Sequence, residues 1–205
     1  MSHHPRVRKF HLRPLASVLL VLALAACGGN GGGGSKQARA PLDPAKTYDV
    51  LIETNQGSFT IRLAVKTSPA TTASFASLVQ KGFFNGTVFH RIVPGFVIQG
   101  GDPTGTGSGG PGYTTVDVPA ASTRYTRGVV AMAKTAAEPP GTAGSQFFVV
   151  TAPNAQLPPE YAVLGHVVKG QAAVAAIGKL GDPASGGQGV PTKKVVIEKA
   201  TLTVH

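Results

Sequence analysis

Apolar residues recur with a period of two at Tyr48, Val50 and Ile52. Asn55-Gln56-Gly57 then supplies turn residues, and the same period resumes at Phe59, Ile61 and Leu63. This pattern predicts a β-hairpin. Ser68-Pro69 reads as a helix cap with proline at the first helical position, Phe75, Leu78 and Val79 follow at helical spacing, and Gly82 suits a terminator. Val88 to Gln99 reads as two short strands broken at Pro94-Gly95. Gly128 to Lys134, Gln146 to Thr151 and Ala162 to Val168 read as short apolar strands. Gly170 to Leu180 has the apolar spacing of a second short helix, and Val195 to Val204 that of a closing strand. Periodicity alone therefore gives a mostly β chain, barrel or sandwich. Many short strands with two helices favour a closed antiparallel barrel with helical caps, an architecture without exposed sheet edges. The glycine-rich stretches Pro103 to Gly112 and Pro183 to Gly189 read as mobile surface loops. No internal repeat is visible.

The first 46 residues follow another logic. Arg6, Arg8, Lys9 and Arg13 precede an apolar run from Leu15 to Ala26, broken only by Ser17. The run is too short for a stable membrane span and suits the core of a signal peptide. Leu24-Ala25-Ala26-Cys27 follows where cleavage is expected, in the manner of a bacterial lipoprotein signal. The alternative is an ordinary secretory signal with a chance cysteine. Cys27 is the only cysteine, so no internal disulfide can form and stability must come from a packed core. Gly28 to Gly34 is nearly all glycine, the composition of a flexible coil. These features divide the chain into a signal peptide (1–26), a tether (27–46) carrying a lipid on Cys27, and one folded domain (47–205). Gly28 after the cysteine points to the outer rather than the inner membrane, with the domain in the periplasm.

Nineteen Lys and Arg against nine Asp and Glu give the chain a formal charge of +10. Without the four cations of the leader, 15 Lys and Arg remain against nine acids, a moderate excess that favours an anionic surface or acidic clients. No basic run is interleaved with aromatics, so nucleic acid is not an expected partner. The six histidines are scattered without metal-ligand spacing, so no metal site is expected. Gly105 to Gly110 matches G-x-G-x-x-G, but Pro111-Gly112 follows where a dinucleotide site needs a helix, so no cofactor is expected. Ser145, His90 and Asp102 form a hydrolase triad on paper only, because Ala143-Gly144-Ser145-Gln146-Phe147 is not a nucleophile turn.

Arg91 stands out. It lies between His90 and Ile92 in a segment expected to be half buried, where a charge has either an ion-pair partner or a task. Gln99 is eight residues on, an even spacing that puts both on one face of an unbroken ladder. Structure and function both remain open on these residues alone.

The full string Phe89-His90-Arg91-Ile92-Val93-Pro94-Gly95-Phe96-Val97-Ile98-Gln99-Gly100-Gly101-Asp102 closely resembles a signature of the cyclophilins, the peptidyl-prolyl cis-trans isomerases. Gly128 to Lys134 and Ala143 to Val149 resemble two further signatures of that family, in the same order, and Leu157 to Gly165 its next pocket-lining segment. The resemblance spans Asp49 to Thr203. It implies an eight-stranded antiparallel cyclophilin-like barrel capped by two α-helices that rotates X-Pro peptide bonds; nothing in the sequence indicates an obligate oligomer, so a monomer is expected. Arg91 would donate to the prolyl nitrogen and Gln99 would orient it. Phe96, Val97, Phe148 and Leu157 would grip the proline ring, with Tyr161 at the edge of the pocket. The backbone of Lys134 would hydrogen-bond the substrate, and His90, Phe89 and Phe147 would serve packing.

Three departures matter. Val97 replaces the family's usual methionine, Tyr161 a frequent histidine, and Gln156 the tryptophan that contacts cyclosporin, so weak cyclosporin binding is expected. The partners implied are proline-containing unfolded or exported polypeptides. The alternative is a non-catalytic module or holdase that binds proline segments in the cell envelope.

Overall fold

In the computed structural model the described residues are Met1 and 40–205. The expected leader beyond Met1, Cys27 and most of the expected tether lie outside them. The described residues from 40 onward belong to one compact unit, Lys36–His205. Its contacts begin ahead of the Thr47 boundary read from the sequence: Leu42 packs on the core, and the Asp43 N–H donates to Tyr48 Oη at 3.1 Å. No helix among the described residues is long and apolar enough to cross a membrane.

The hairpin forms from β1 (Tyr48–Thr54) and β2 (Gly57–Leu63), with Val50 opposite Ile61 and Ile52 opposite Phe59 on the inner face. Gly57 turns the chain at φ +105°, and Thr54 Oγ1 donates to its carbonyl at 2.6 Å. Helix α1 (Pro69–Gln80) starts on proline as expected, but the Ser68 hydroxyl makes no cap bond. The Asp117 carboxylate takes that place, accepting the Thr71 N–H at 2.6 Å. It satisfies an orphan donor and complements the helix dipole, from 46 residues away in sequence. The helix ends in a Schellman motif: Gly82 (φ +68°) donates to Val79 O and Phe83 to Leu78 O.

Eight strands build one antiparallel sheet. After β1 and β2 come β3 (Arg91–Val93), β4 (Val97–Gly100), β6 (Val129–Met132), β8 (Phe147–Val150), β9 (Val163–Lys169) and β10 (Ile197–Val204), in the spatial order β10-β1-β2-β9-β6-β8-β4-β3. Two short strands, β5 (Thr115–Val116) and β7 (Thr142–Ala143), pair separately. Helix α2 (Gln171–Gly178) supplies the second expected helix.

The closed barrel expected from the sequence is not made as a ladder. The sheet curls, but β3 and β10 are its two free ends. Irregular backbone fills the seam: Gly86 N donates to Ile197 O, Ile197 N to Thr87 O and Phe89 N to Val195 O. The three residues of β3 are too few to run a ladder along β10. The outer edge of β3 is instead taken by the glycine-rich segment 183–189, through Ile92 N to Gly189 O at 2.7 Å. That segment contains a 3₁₀ turn (Pro183–Gln188) and is not a free loop.

Two apolar layers explain why β4, β6 and β8 lack polar alternation. Successive side chains point to opposite faces. Ile98, Val130, Met132, Phe147 and Val149 enter the inner core with Phe59, Phe75 and Phe89. Val97, Val129, Ala131, Phe148 and Val150 form a second cluster on the outer face, with Phe96, Leu157 and Tyr161 packed against it. Phe147 is the hub of the inner layer, meeting Phe75, Phe84 and Phe89 edge-on at centroid distances of 5.6, 6.0 and 5.9 Å. Fixing Phe147 inward fixes Phe148 outward.

Candidate active site

The turn at Pro94-Gly95, with Gly95 at φ +70°, folds β3 back on β4 so that Arg91 pairs with Gln99. Gln99 is paired in turn with Phe148, and Phe148 with Ala131. One cross-strand row therefore carries a cation, an amide and an aromatic ring along the outer face. A cavity of about 250 Å³ opens there, lined by Arg91, Phe96, Val97, Gln99, Ala133, Lys134, Phe148, Leu157 and Tyr161. All eight pocket residues read from the sequence border it.

The Arg91 guanidinium has no carboxylate within ion-pair distance among the described residues. Its Nε and Nη2 donate to the carbonyl of Gly187 at 3.1 and 2.8 Å, its Nη1 reaches Gln99 Oε1 at 3.4 Å, and it lies 6.0 Å from the centroid of the Phe96 ring. Burial lowers its pKa from the ordinary value, yet an arginine remains charged at neutral pH. Neutral acceptors thus hold the cation in place without cancelling its charge.

Gln99 is itself held. Its Nε2 donates to Gln146 Oε1 at 3.1 Å, and Gln146 Nε2 donates to the carbonyls of Gly107 and Gly109, both at 2.9 Å. The Pro103 to Gly112 loop, expected to be mobile, is wrapped on the buried carboxylate of Asp102. That carboxylate accepts from Thr104 N and Oγ1 and from the N–H groups of Gly107 and Gly109. Burial pushes the Asp102 pKa up, but these bonds outweigh it and hold the pKa at about 2. The N–H groups of Gly107 and Gly109 are spent on the carboxylate, so the G-x-G-x-x-G string does not offer them to a phosphate.

The opposite wall rests on Tyr125, which sequence reasoning missed. Its hydroxyl donates to Tyr161 O at 2.7 Å and accepts from Tyr161 N at 2.9 Å. Its ring meets Tyr161 edge-on at 5.9 Å, and Tyr161 meets Phe148 edge-on at 5.5 Å. A lone aromatic in the polar stretch 122–127 is the signal the sequence offers. Lys134 also belongs to this wall: its side chain is only 4% exposed, and its ammonium pairs with Glu160 at 3.1 Å and sits 5.6 Å from the Tyr161 ring centroid. Gln156, at the family's tryptophan position, is exposed with φ +53° and does not line the cavity.

The residues of the paper triad are otherwise engaged. Ser145 is buried and donates to Gly101 O at 2.7 Å, the Asp102 carboxylate is taken up by Thr104, Gly107 and Gly109, and His90 is hydrogen-bonded to neither Ser145 nor Asp102. The site therefore offers a strong donor beside a cavity with an apolar side of Phe96, Val97, Phe148 and Leu157, without a nucleophile and base pair among the described residues. It is a site for binding and reshaping a substrate rather than for cleaving it.

Residues 49–202 match the model of the cyclophilin type peptidyl-prolyl cis-trans isomerases. "Peptidyl-prolyl cis-trans isomerase-like 1" of Aspergillus oryzae is 38% identical over 158 residues, covering 75% of this chain and 94% of the relative. The human protein of that name is 38% identical over 167 residues, covering 80% and 97%. The crystal structure of a cyclophilin type peptidyl-prolyl cis-trans isomerase from Cryptosporidium parvum superimposes with a TM-score of 0.69 at 31% identity, covering 77% of this chain and 98% of that one. A second structure of that protein, in the presence of the dipeptide Ala-Pro, gives 0.68 at 31% identity, covering 76% and 98%. This chain belongs to the cyclophilin-type peptidyl-prolyl cis-trans isomerases. These relatives are eukaryotic, and the family match begins at residue 49, beyond the apolar run 15–26 and the glycine tract 28–34.

Proposed function

We propose that this chain rotates X-Pro bonds of exported polypeptides, with Arg91 as the catalytic donor. Amide resonance sets a rotation barrier of about 18–20 kcal/mol. In the twisted state that resonance is lost and the nitrogen lone pair is free, so a donor aimed at it stabilises the twisted state more than the planar one. The single observation that carries the reading is an unneutralised Arg91 at the rim of a cavity whose apolar side is formed by Phe96, Val97, Phe148 and Leu157. Phe96, Val97, Phe148 and Leu157 grip the proline ring, and Tyr161 closes the edge. Gln99 orients Arg91 and contacts the substrate backbone, and the Lys134 backbone hydrogen-bonds the substrate. The Ala-Pro dipeptide named with the Cryptosporidium structure is a ligand of the size this cavity accepts. The test is isomerisation of a short Ala-Pro peptide by wild type and Arg91→Ala. A folded variant that retains wild-type rate overturns the assignment of Arg91. Wild type that binds the peptide without accelerating exchange supports the proline-binding module instead.

The N-terminal reading belongs to the same proposal. A cationic start, an apolar run and Ala25-Ala26-Cys27 support export and lipidation of Cys27, with the glycine tract tethering a monomeric domain in the periplasm, at the outer membrane. Incorporation of a palmitate analogue, lost in Cys27→Ser, is the expected result. Absence of label in the wild-type chain removes the anchor. Gln156 supports weak inhibition by cyclosporin, to be read as a high inhibitor concentration for half-maximal effect.

A further inference from the structure

The carbonyl of Gly187 meets two of the donors of Arg91, from a segment more than 90 residues away that has no apolar role of its own. The segment is built to hold that position. At its base Asp182 N donates to Val190 O at 2.8 Å, and Thr192 N to Leu180 O at 2.7 Å. Across its middle, Ser185 Oγ donates to Asp182 O at 2.6 Å and accepts from Val190 N at 3.0 Å, stitching the two arms together. Asp182 Oδ1 adds a bond from Ala184 N at 2.9 Å. Both ends press on β3 where no side chain fits: a Cβ on Gly181 would meet Ile92 O, and one on Gly189 (φ +66°) would stand 2.7 Å from Val93 Cγ2 and 3.0 Å from Arg91 Cγ.

We infer that the segment 182–190 is a positioning clamp for the catalytic arginine, with the Ser185 hydroxyl as the residue that keeps the Gly187 carbonyl on the guanidinium. The inference rests on the reading of Arg91 as the catalytic donor. Its physical basis is the cost of misplacement. Arginine has a long, flexible stem, and a donor displaced by about 1 Å loses much of its effect on the transition state. Gln99 alone holds Nη1, at 3.4 Å; the two bonds to Gly187 fix the plane of the guanidinium. A carbonyl does this without the neutralisation a carboxylate would bring.

The experiment measures kcat and KM for an Ala-Pro peptide with the full chain and its Ser185→Ala, Ser185→Thr, Arg91→Ala and Ser185→Ala/Arg91→Ala variants, with the Arg91 Nε–H resonance followed by NMR. Ser185→Ala is expected to lower kcat about tenfold with KM within about twofold, and to speed exchange of the Arg91 Nε proton. Ser185→Thr keeps the hydroxyl and restores both. On the Arg91→Ala background Ser185→Ala has no further effect, because the clamp has nothing left to hold. Wild-type kcat in Ser185→Ala, or an equal loss on both backgrounds, overturns the clamp while leaving the role of Arg91 standing. Full activity in Arg91→Ala overturns that role and the clamp with it.

Discussion

Arg91 and Gln99 stand directly opposite one another on β3 and β4, with Nη1 3.4 Å from Oε1. Gln99 is held by Gln146 and Arg91 by Gly187, so the cation sits between two folded loops. In Arg91→Ala, kcat/KM for an Ala-Pro peptide should fall about 10²- to 10³-fold, the usual cost of removing a transition-state donor. Arg91→Lys should recover only a small part, since a single ammonium cannot keep the planar fork across Gly187 and Gln99. Thermal melts run beside the kinetics should show both variants folded.

Tyr125→Phe removes a hydroxyl that both donates to and accepts from the Tyr161 backbone. Two polar groups lose their partner, a cost of about 1–3 kcal/mol. The wall carrying Tyr161 loosens, so KM should rise more than kcat falls, which steady-state kinetics read directly.

Phe147 is fully buried among Phe75, Phe84 and Phe89. Phe147→Ala should lower stability by about 3–5 kcal/mol. It also frees the register that turns Phe148 to the outer face. Denaturant melts measure the first effect, and peptide affinity under folding conditions the second.

The Asp102 carboxylate has a folded pKa of about 2, below its ordinary 3.8. A carboxylate with a depressed folded pKa stabilises the fold above its unfolded pKa, and that stabilisation is lost as pH falls from about 3.8 to about 2. Asp102→Asn should flatten stability against pH in that window. At neutral pH it should also loosen the loop that positions Gln146, lowering activity without emptying the proline cavity.

His90 has the opposite chemistry and the same direction. Burial chiefly lowers its pKa from 6.5; Asp102 opposes the shift and Arg91 adds to it. The folded chain keeps the imidazole neutral after the unfolded chain has begun to take up its proton. Stability is therefore full above pH 6.5 and falls as pH drops below it. His90→Gln should reduce the difference in melting temperature between pH 7 and pH 5.

Local order was legible along the chain. The period of two gave β1 and β2, and Pro69 and Gly82 bounded α1, because propensity, proline geometry and the left-handed φ of glycine are properties of a few neighbouring residues. The motif around Arg91, with the segments 128–134, 143–149 and 157–165, pointed to the family and to eight of the residues that border the cavity; Ala133 was not among them. What only the tertiary structure decided was who holds those residues. Asp117 caps α1 in place of Ser68, Tyr125 secures Tyr161, and Gly187 and Gly189 occupy the edge of β3 and leave the barrel ladder open. The two glycine-rich stretches read as mobile from composition, yet one is folded on the buried Asp102 and the other on Arg91. Each of these contacts joins backbone groups or single side chains far apart in sequence. No local pattern encodes such a pair, because a carbonyl carries no side-chain identity and its partner is chosen by the packing of the whole sheet.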